Sequence, residues 1–262
     1  FDRLAPYIQD FIYMSKWTEL RDIQVSACKV IFDSDDNLLL SSGTASGKTE
    51  AAFLPVLTEL YHRPSSSVGV LYISPLKALI NDQFKRLDYL LLESDLPVTK
   101  WHGDASLAEK NRLVKNPKGI LQITPESLES LLIHKRGACL NLFKDLRFVI
   151  IDEVHYFMRD GRGIQVLCLL ERMQKLTGNI PHRIGLSATL GDISVAENWL
   201  NSGTGRKCVS PVSDEGKRRI KLFVERFMKT NEESDGRTVD NGSAEYFDYL
   251  YRMTLDKKTI IF

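Results

Sequence analysis

Two rhythms of apolar and polar residues alternate along this chain. Short runs rich in Val, Ile and Leu recur between longer stretches of helical period, the pattern of a parallel sheet covered by helices on both faces. The short runs predict strands over Asn37–Ser41, Val68–Ser74, Val98–Trp101, Gly119–Ile123, Arg147–Ile151 and His182–Ser187. Thr49–Tyr61, Lys77–Leu92, Pro125–Ile133, Gly163–Leu176 and Ser194–Leu200 read as helices. In the fourth of these, Val166, Leu169, Leu170, Met173 and Leu176 recur at steps of three and four and form one apolar stripe for the sheet. The fold class expected is therefore α/β, a mostly parallel sheet flanked by helices.

After Leu200 the rhythm changes. Ser202-Gly203-Thr204-Gly205 reads as a turn, and Lys217-Arg218-Arg219 leads into the alternating Ile220, Leu222 and Val224 of a strand. Asn231–Gly242 is polar and acidic, as a linker or mobile loop is. A helix is expected from Ser243, with Tyr246, Phe247, Leu250 and Tyr251 on one face, and Thr259–Phe262 reads as a strand just begun. The organisation expected is one complete domain over 1–205, then a linker and the beginning of a second domain over 206–262.

Composition changes this picture little. With 262 residues, 43% hydrophobic and 26% charged, the chain falls outside the collagenous, disordered and disulfide-scaffold classes. No apolar run approaches the ~18 residues that span a bilayer, and Phe1-Asp2-Arg3-Leu4 opens no signal segment, so a cytoplasmic location is expected. Cys28, Cys139, Cys168 and Cys208 have neither zinc spacing nor a disulfide framework and read as buried thiols. At a net charge of +1, any nucleic-acid partner has to be held by a local patch. Lys85-Arg86, Lys135-Arg136 and Lys217-Arg218-Arg219 are candidates that read equally well as solvated faces.

The sharpest chemical signal is Ser42-Gly43-Thr44-Ala45-Ser46-Gly47-Lys48-Thr49, between a predicted strand and a predicted helix. A phosphate-binding loop needs small residues so that backbone N–H groups turn inward, a Lys for the outer phosphates, and a hydroxyl for Mg²⁺. The second signal is Phe148-Val149-Ile150-Ile151-Asp152-Glu153-Val154-His155, an apolar strand ending in two carboxylates. Alone it would be a helix N-terminus complementing its dipole. Beside a phosphate loop, Asp152 can hold Mg²⁺ through water while Glu153 polarises the attacking water. A third, Gly185-Leu186-Ser187-Ala188-Thr189-Leu190, brings two hydroxyls to the same sheet edge, within reach of Asp152 or His155.

Taken in this order, the three resemble the first RecA-like, P-loop NTPase motor domain of superfamily 2 helicases of the DEAD/H-box type. Ser74-Pro75-Leu76-Lys77-Ala78-Leu79 and Thr124-Pro125-Glu126-Ser127-Leu128 resemble that family's motifs Ia and Ib. Gln24 resembles its adenine-reading glutamine and Phe1 its stacking aromatic, though Arg21-Asp22 stand where Thr-Pro is usual. With Arg162-Gly163, Leu170-Glu171-Arg172 and Arg183–Asp192, the combination is similar to the large helicase-related (Lhr) group, over residues 1–205.

The resemblance implies ATP held by Thr44, Ala45, Ser46, Gly47, Lys48 and Thr49, with Gln24 and Phe1 on the base. It implies Mg²⁺ on Thr49 and Asp152, catalysis by Glu153, Lys48 and Asp152, and coupling through His155, Ser187 and Thr189. Ser74, Pro75, Lys77, Thr124, Pro125 and Glu126 are implied to hold a single-stranded or duplex nucleic acid, DNA favoured over RNA. Trp101-His102-Gly103-Asp104 read as a loop turn, with a direct nucleic-acid role as the alternative. A second motor domain is implied to bring further arginines to the γ-phosphate; no such motifs precede Phe262, so slow turnover is expected of this chain alone. Two other readings stay open: a non-hydrolysing nucleotide-gated clamp, which Lys48, Asp152 and Glu153 argue against, and a P-loop kinase or transport ATPase, which leaves the other strand-end motifs without a role.

Overall fold

The computed structural model describes residues 1–43, 46–76, 90–91, 94–103, 105–188, 190–211, 224, 226, 231–234 and 237–255. The chain divides into two compact units, Phe1–Glu215 and Gly216–Phe262. In the first lie strands β1 (Asn37–Ser41), β2 (Val68–Ile73), β3 (Val98–Trp101), β4 (Gly119–Ile123), β5 (Phe148–Ile151), β6 (His182–Ser187) and β7 (Cys208–Val209). They form one sheet in the order β3-β4-β2-β5-β6-β1-β7. Every pairing in it is parallel.

A parallel sheet buries both faces, which is why its strands read as unbroken apolar runs. Leu38, Leu40, Val70, Tyr72, Ile150 and Ile184 point into one core beneath α1 (Pro6–Met14), α2 (Asp22–Asp33) and α3 (Lys48–His62). Leu39, Leu71, Ile73, Leu121, Ile123, Val149 and Ile151 point into the other. That second core is closed by α5 (Pro125–His134), α6 (Arg136–Phe143), α7 (Val154–Phe157), α8 (Gly161–Thr177) and α9 (Ile193–Asn201), with α4 (Leu107–Lys115) adding Leu113. The helix starts carry their own signals. Thr124 caps α5 with Pro125 behind it, Asp160 accepts from Arg162 N at the start of α8, and Asp192 accepts from Ser194 N at the start of α9.

The strand order sets up the site. Chain connectivity places β6 between β1 and β5, so the ends of β1 and β5 stand two strand spacings apart, roughly 10 Å, with the end of β6 between them. Ser41 pairs with Ser187, and Ile151 with Gly185, so all three ends finish at the same sheet edge. Buried polar groups pin the neighbouring chain. Asn37 Nδ2 donates to Asn201 Oδ1 and Thr204 Oγ1 at 2.8 and 3.0 Å, and Asn37 Oδ1 accepts from Arg183 N at 2.8 Å. Arg183 Nη1 donates to the carbonyls of Leu200 and Ser202, and burial draws its pKa down to about 10.

Several elements escape the pattern read from sequence. α4 buries only Leu113, so it has no stripe, and β7 is two residues long. The predicted helix Lys77–Leu92 lies almost wholly outside the described residues, as do the strand Ile220–Val224 and the strand Thr259–Phe262. The thiol expectation is corrected: Cys139 is buried, Cys28 and Cys208 are half-buried and Cys168 is exposed.

In the second unit the expected linker over Asn231–Gly242 is instead a hairpin. β8 (Asn231–Ser234) pairs antiparallel with β9 (Arg237–Asp240), Asn231 opposite Asp240 and Ser234 opposite Arg237. Asp235-Gly236, the pair favoured between hairpin strands, is the signal that polarity concealed. Helix α10 (Asn241–Thr254) follows, where a helix is expected from Ser243.

Candidate functional site

The loop after β1 is tied to itself. Ser42 Oγ and Ser46 Oγ lie 2.5 Å apart, and Lys48 Nζ donates to the carbonyls of Ser42 and Gly43 at 2.6 and 2.8 Å. A cation resting on carbonyls at the N-terminus of a 15-residue helix is one that anionic oxygens would draw away. Gly47 turns the chain into α3 with φ +84°, and a Cβ there would meet Gln24 Nε2 at 3.0 Å. Thr49 is buried in the first turn, while Thr44 and Ala45 lie outside the described residues.

At the end of β5, Asp152 is 6% exposed. Its Oδ2 accepts from Tyr72 Oη at 2.5 Å and its Oδ1 from Glu153 N at 3.0 Å. Burial holds this carboxyl above the usual Asp range; the Tyr72 hydrogen bond and the Lys48 charge oppose the shift, and the Glu153 charge reinforces it. Glu153 itself caps α7 in the left-handed region, φ +52°, ψ +49°, a conformation that costs a non-glycine residue of order 1 kcal/mol or more. The turn that stores this strain leaves Glu153 half-exposed at the sheet edge while Asp152 stays buried.

His155 joins that edge to β6. Its Nδ1 lies 3.2 Å from Ser187 Oγ, 3.3 Å from Ala188 N and 3.3 Å from Glu153 Oε2. An amide N–H can only donate, so the Ala188 bond makes Nδ1 an acceptor and puts the ring proton on Nε2. In that tautomer Glu153 is a neighbour and not an ion-pair partner. Ser187 is fully buried, and Thr189 lies outside the described residues.

Beside the loop, a cleft of about 610 Å³ is lined by Lys16, Trp17, Thr18, Glu19, Arg21, Gln24, Gly47 and Glu50. Gln24 Oε1 accepts from Arg21 N at 3.0 Å, which leaves its Nε2 on the Gly47 side. Phe1 is not brought here: it is 61% exposed, and its neighbour Arg3 pairs with Asp33 at the far end of α2, a 12-residue helix about 18 Å long. The aromatic in the cleft is Trp17, held edge-on by Phe11 at 5.7 Å. Its place seven residues before Gln24 was the available signal.

A second cleft opens at the ends of β2, β3 and β4, lined by Pro75, Leu76, Trp101, His102, Gly103, Lys110, Thr124, Glu126, Ser127 and Ser130. It joins the two loops expected to hold a strand with the Trp101 turn. Two of the expected donors are committed within the fold. Ser74 is fully buried, with N donating to Ile123 O and Oγ to Leu76 O. Thr124 Oγ1 spends itself on Ser127 at the start of α5. Pro75 is buried, Glu126 is exposed, Pro125 is the first residue of α5, and Lys77 lies outside the described residues. The cation overlooked in the sequence is Lys110, whose Nζ donates to His102 O at 2.6 Å above the Trp101 ring.

Among the described residues no group of three His, Cys, Asp or Glu stands ready for a metal. A hydroxyl at Thr49 and a carboxylate at Asp152 are hard oxygen donors, the sparse protein set that suits Mg²⁺ bound chiefly by phosphates and water. No helix among the described residues is long and apolar enough to cross a membrane.

The profile of the DEAD/DEAH box helicases matches residues 21–197. The ATP-dependent helicase Lhr-Core of Methanothermobacter thermautotrophicus is 36% identical over 192 residues, 66% of this chain and 22% of that protein. The Lhr helicase/uracil glycosylase of Escherichia coli is 34% identical over 232 residues, 80% of this chain and 15% of that protein. Among solved structures, Mycobacterium smegmatis helicase Lhr bound to ssDNA and AMP-PNP superposes with a TM-score of 0.68 at 30% identity, over 80% of this chain and 28% of that one. DUF1998 helicase MrfA bound to DNA gives a TM-score of 0.71 at 26% identity, over 80% and 30%. The parallel sheet with its helices is thus the RecA-like fold expected from the sequence. The chain spans less than a quarter of the length of the M. thermautotrophicus and E. coli relatives.

Proposed function

The chain belongs to the DEAD/DEAH box helicase family, and on that premise we propose that it is the ATP-binding motor domain of an ATP-dependent helicase or translocase that grips DNA in preference to RNA. The observation that carries this reading is the shared sheet edge, where the Lys48 loop and the Asp152–Glu153 pair flank Ser187 with a base-sized cleft alongside. Two relatives solved with DNA, at 26% and 30% identity, support the choice of strand.

Trp17 stacks on the base and Gln24 Nε2 donates to it. Lys48 leaves the Ser42 and Gly43 carbonyls for the outer phosphates, and the loop N–H groups take the remaining oxygens. Thr49 and Asp152 would hold Mg²⁺, which when bound neutralises charge developing on the phosphate oxygens. Glu153, held toward solvent by its left-handed turn, accepts the proton of the attacking water. Two residues further on, His155 Nδ1 accepts from Ser187 Oγ and Ala188 N at the end of β6, so a change in the Asp152–Glu153 turn reaches the element beside it. The strand lies across Lys110, Ser127 and the rim of Pro75, and a second motor domain of the full-length protein closes over the same edge.

The test is ATP hydrolysis by the full-length natural protein with no nucleic acid, with oligo-dT and with oligo-U. Stimulation by oligo-dT beyond that by oligo-U is expected. Binding of both strands without stimulated hydrolysis by either would overturn the motor in favour of a clamp.

A further inference from the structure

Arg162 and Gly163 mark the start of α8, and nothing in the proposed cycle yet uses them. Asp160 accepts from Arg162 N at 2.9 Å and fixes the first turn of the helix. From there the guanidinium reaches both loops at the second cleft: Nη2 donates to Pro75 O at 3.0 Å and to Glu126 Oε1 at 2.6 Å. Its plane also lies against α7, 5.5 Å from the Tyr156 ring centre and 5.8 Å from that of Phe157. Only three residues of chain separate Tyr156 from Asp152.

The neighbouring features keep this connection stiff. Phe157 is stacked on Trp199 of α9, centroids 6.5 Å apart and planes at 6°, so α7 is clamped between that ring and the guanidinium. Gly163 lets α8 close on α7, since a Cβ there would sit 2.1 Å from Phe157 O. One turn further on, Gln165 Nε2 donates to Glu129 Oε2 at 2.6 Å. The pairs Arg162–Glu126 and Gln165–Glu129 repeat at a step of three on both helices, so α8 and α5 are docked in one register. Pairing also neutralises Glu126, an exposed carboxylate that would otherwise repel a phosphate backbone.

Resting on the motor reading above, we propose that Arg162 is a positioning residue that transmits the state of the Asp152–His155 turn to the two strand-gripping loops. A movement of α7 on nucleotide binding or loss displaces the guanidinium, and the guanidinium carries the Pro75 carbonyl and Glu126 with it. One nitrogen, Nη2, holds both acceptors while the rest of the guanidinium lies over the α7 rings, an arrangement a compact ammonium does not reproduce.

The experiment compares Arg162→Lys, Arg162→Ala and Gln165→Ala in the full-length natural protein, with hydrolysis measured across a titration of oligo-dT. Both Arg162 variants are expected to lose on the order of tenfold in the maximal strand-stimulated rate, Lys less than Ala, with strand-free hydrolysis unchanged. Gln165→Ala, which breaks the neighbouring strap without touching a loop, is expected to keep full stimulation. The inference is overturned by equal losses with and without strand, by a loss that saturating oligo-dT restores, or by full stimulation in Arg162→Lys and Arg162→Ala. Absence of stimulation in the unmutated protein would instead sink the motor reading itself. Arg162→Lys keeps the apolar stem against α7 and serves if Arg162→Ala does not fold.

Discussion

Tyr72→Phe removes one oxygen from the centre of the site and nothing else. The ring, fully buried and 6.0 Å from Phe53, keeps its packing, so no cavity forms. What is lost is a 2.5 Å hydrogen bond to a carboxylate that is itself buried. Charge-assisted bonds of this kind contribute about 1.5–3 kcal/mol, and the orphaned Oδ2 has little water to turn to. For a domain of this size each kcal/mol corresponds to roughly 2–4 °C, so the melting temperature should fall by about 3–12 °C. Burial already makes the folded Asp152 hold its proton more tightly than an unfolded Asp, and removing the donor strengthens that hold. The destabilisation should therefore be largest where the carboxyl is ionised and shrink as falling pH returns its proton. Thermal and urea unfolding of the 262-residue chain at pH 7.5 and 5 measure this. A Tyr72→Phe protein melting within a degree of the parent at pH 7.5 would mean that this hydrogen bond does not stabilise the fold.

Gly163→Ala places a methyl 2.1 Å from Phe157 O and should cost about 1–3 kcal/mol in denaturant unfolding, whereas Gly161→Ala, with nothing within 4 Å, should be neutral. Trp17→Ala should weaken ADP binding on the order of tenfold through lost base stacking while leaving tripolyphosphate binding unchanged; Phe1→Ala should alter neither in a competition titration. Burial alone would raise the pKa of Asp145, but the Ser66 N–H at 2.7 Å and the Arg147 charge outweigh it and depress the value. That stability is present above the unfolded pKa of about 3.9 and lost in acid, so the gap between parent and Asp145→Asn should close as urea curves are taken below about pH 4.

The sheet was legible because burial on both faces leaves no polar alternation to misread. Five predicted strands match within one residue at each end, and Val98–Trp101 coincides although it is only half-buried. Some elements went unseen: α4 presents a single buried apolar residue and the β8–β9 hairpin holds one apolar residue, Val239, so neither carries a period, while α1, α2 and α6 pack into the cores but were not read as helices. At the site, sequence spacing brought the Lys48 loop, Asp152–Glu153 and Ser187 to one edge. It did not reveal which side chains are already spent. Ser74 and Thr124 look like donors for a phosphate backbone until their partners are seen within the fold. Tyr72 and Arg162 gain meaning only from contacts 80 and 36 residues away. Phe1 lay at a plausible distance along the chain but at the far end of α2, where helix length and not residue count sets the geometry.

In the proposed site the two adjacent carboxylates divide the work, Asp152 on the metal side and Glu153 on water. Paired measurements on Glu153→Gln in the full-length natural protein test it most directly: affinity for MgATP by titration, and hydrolysis in the presence of oligo-dT. Unchanged affinity is expected, with stimulated hydrolysis reduced by about two orders of magnitude or more. Near-parental hydrolysis in Glu153→Gln, or an affinity that falls as far as the rate, would contradict it.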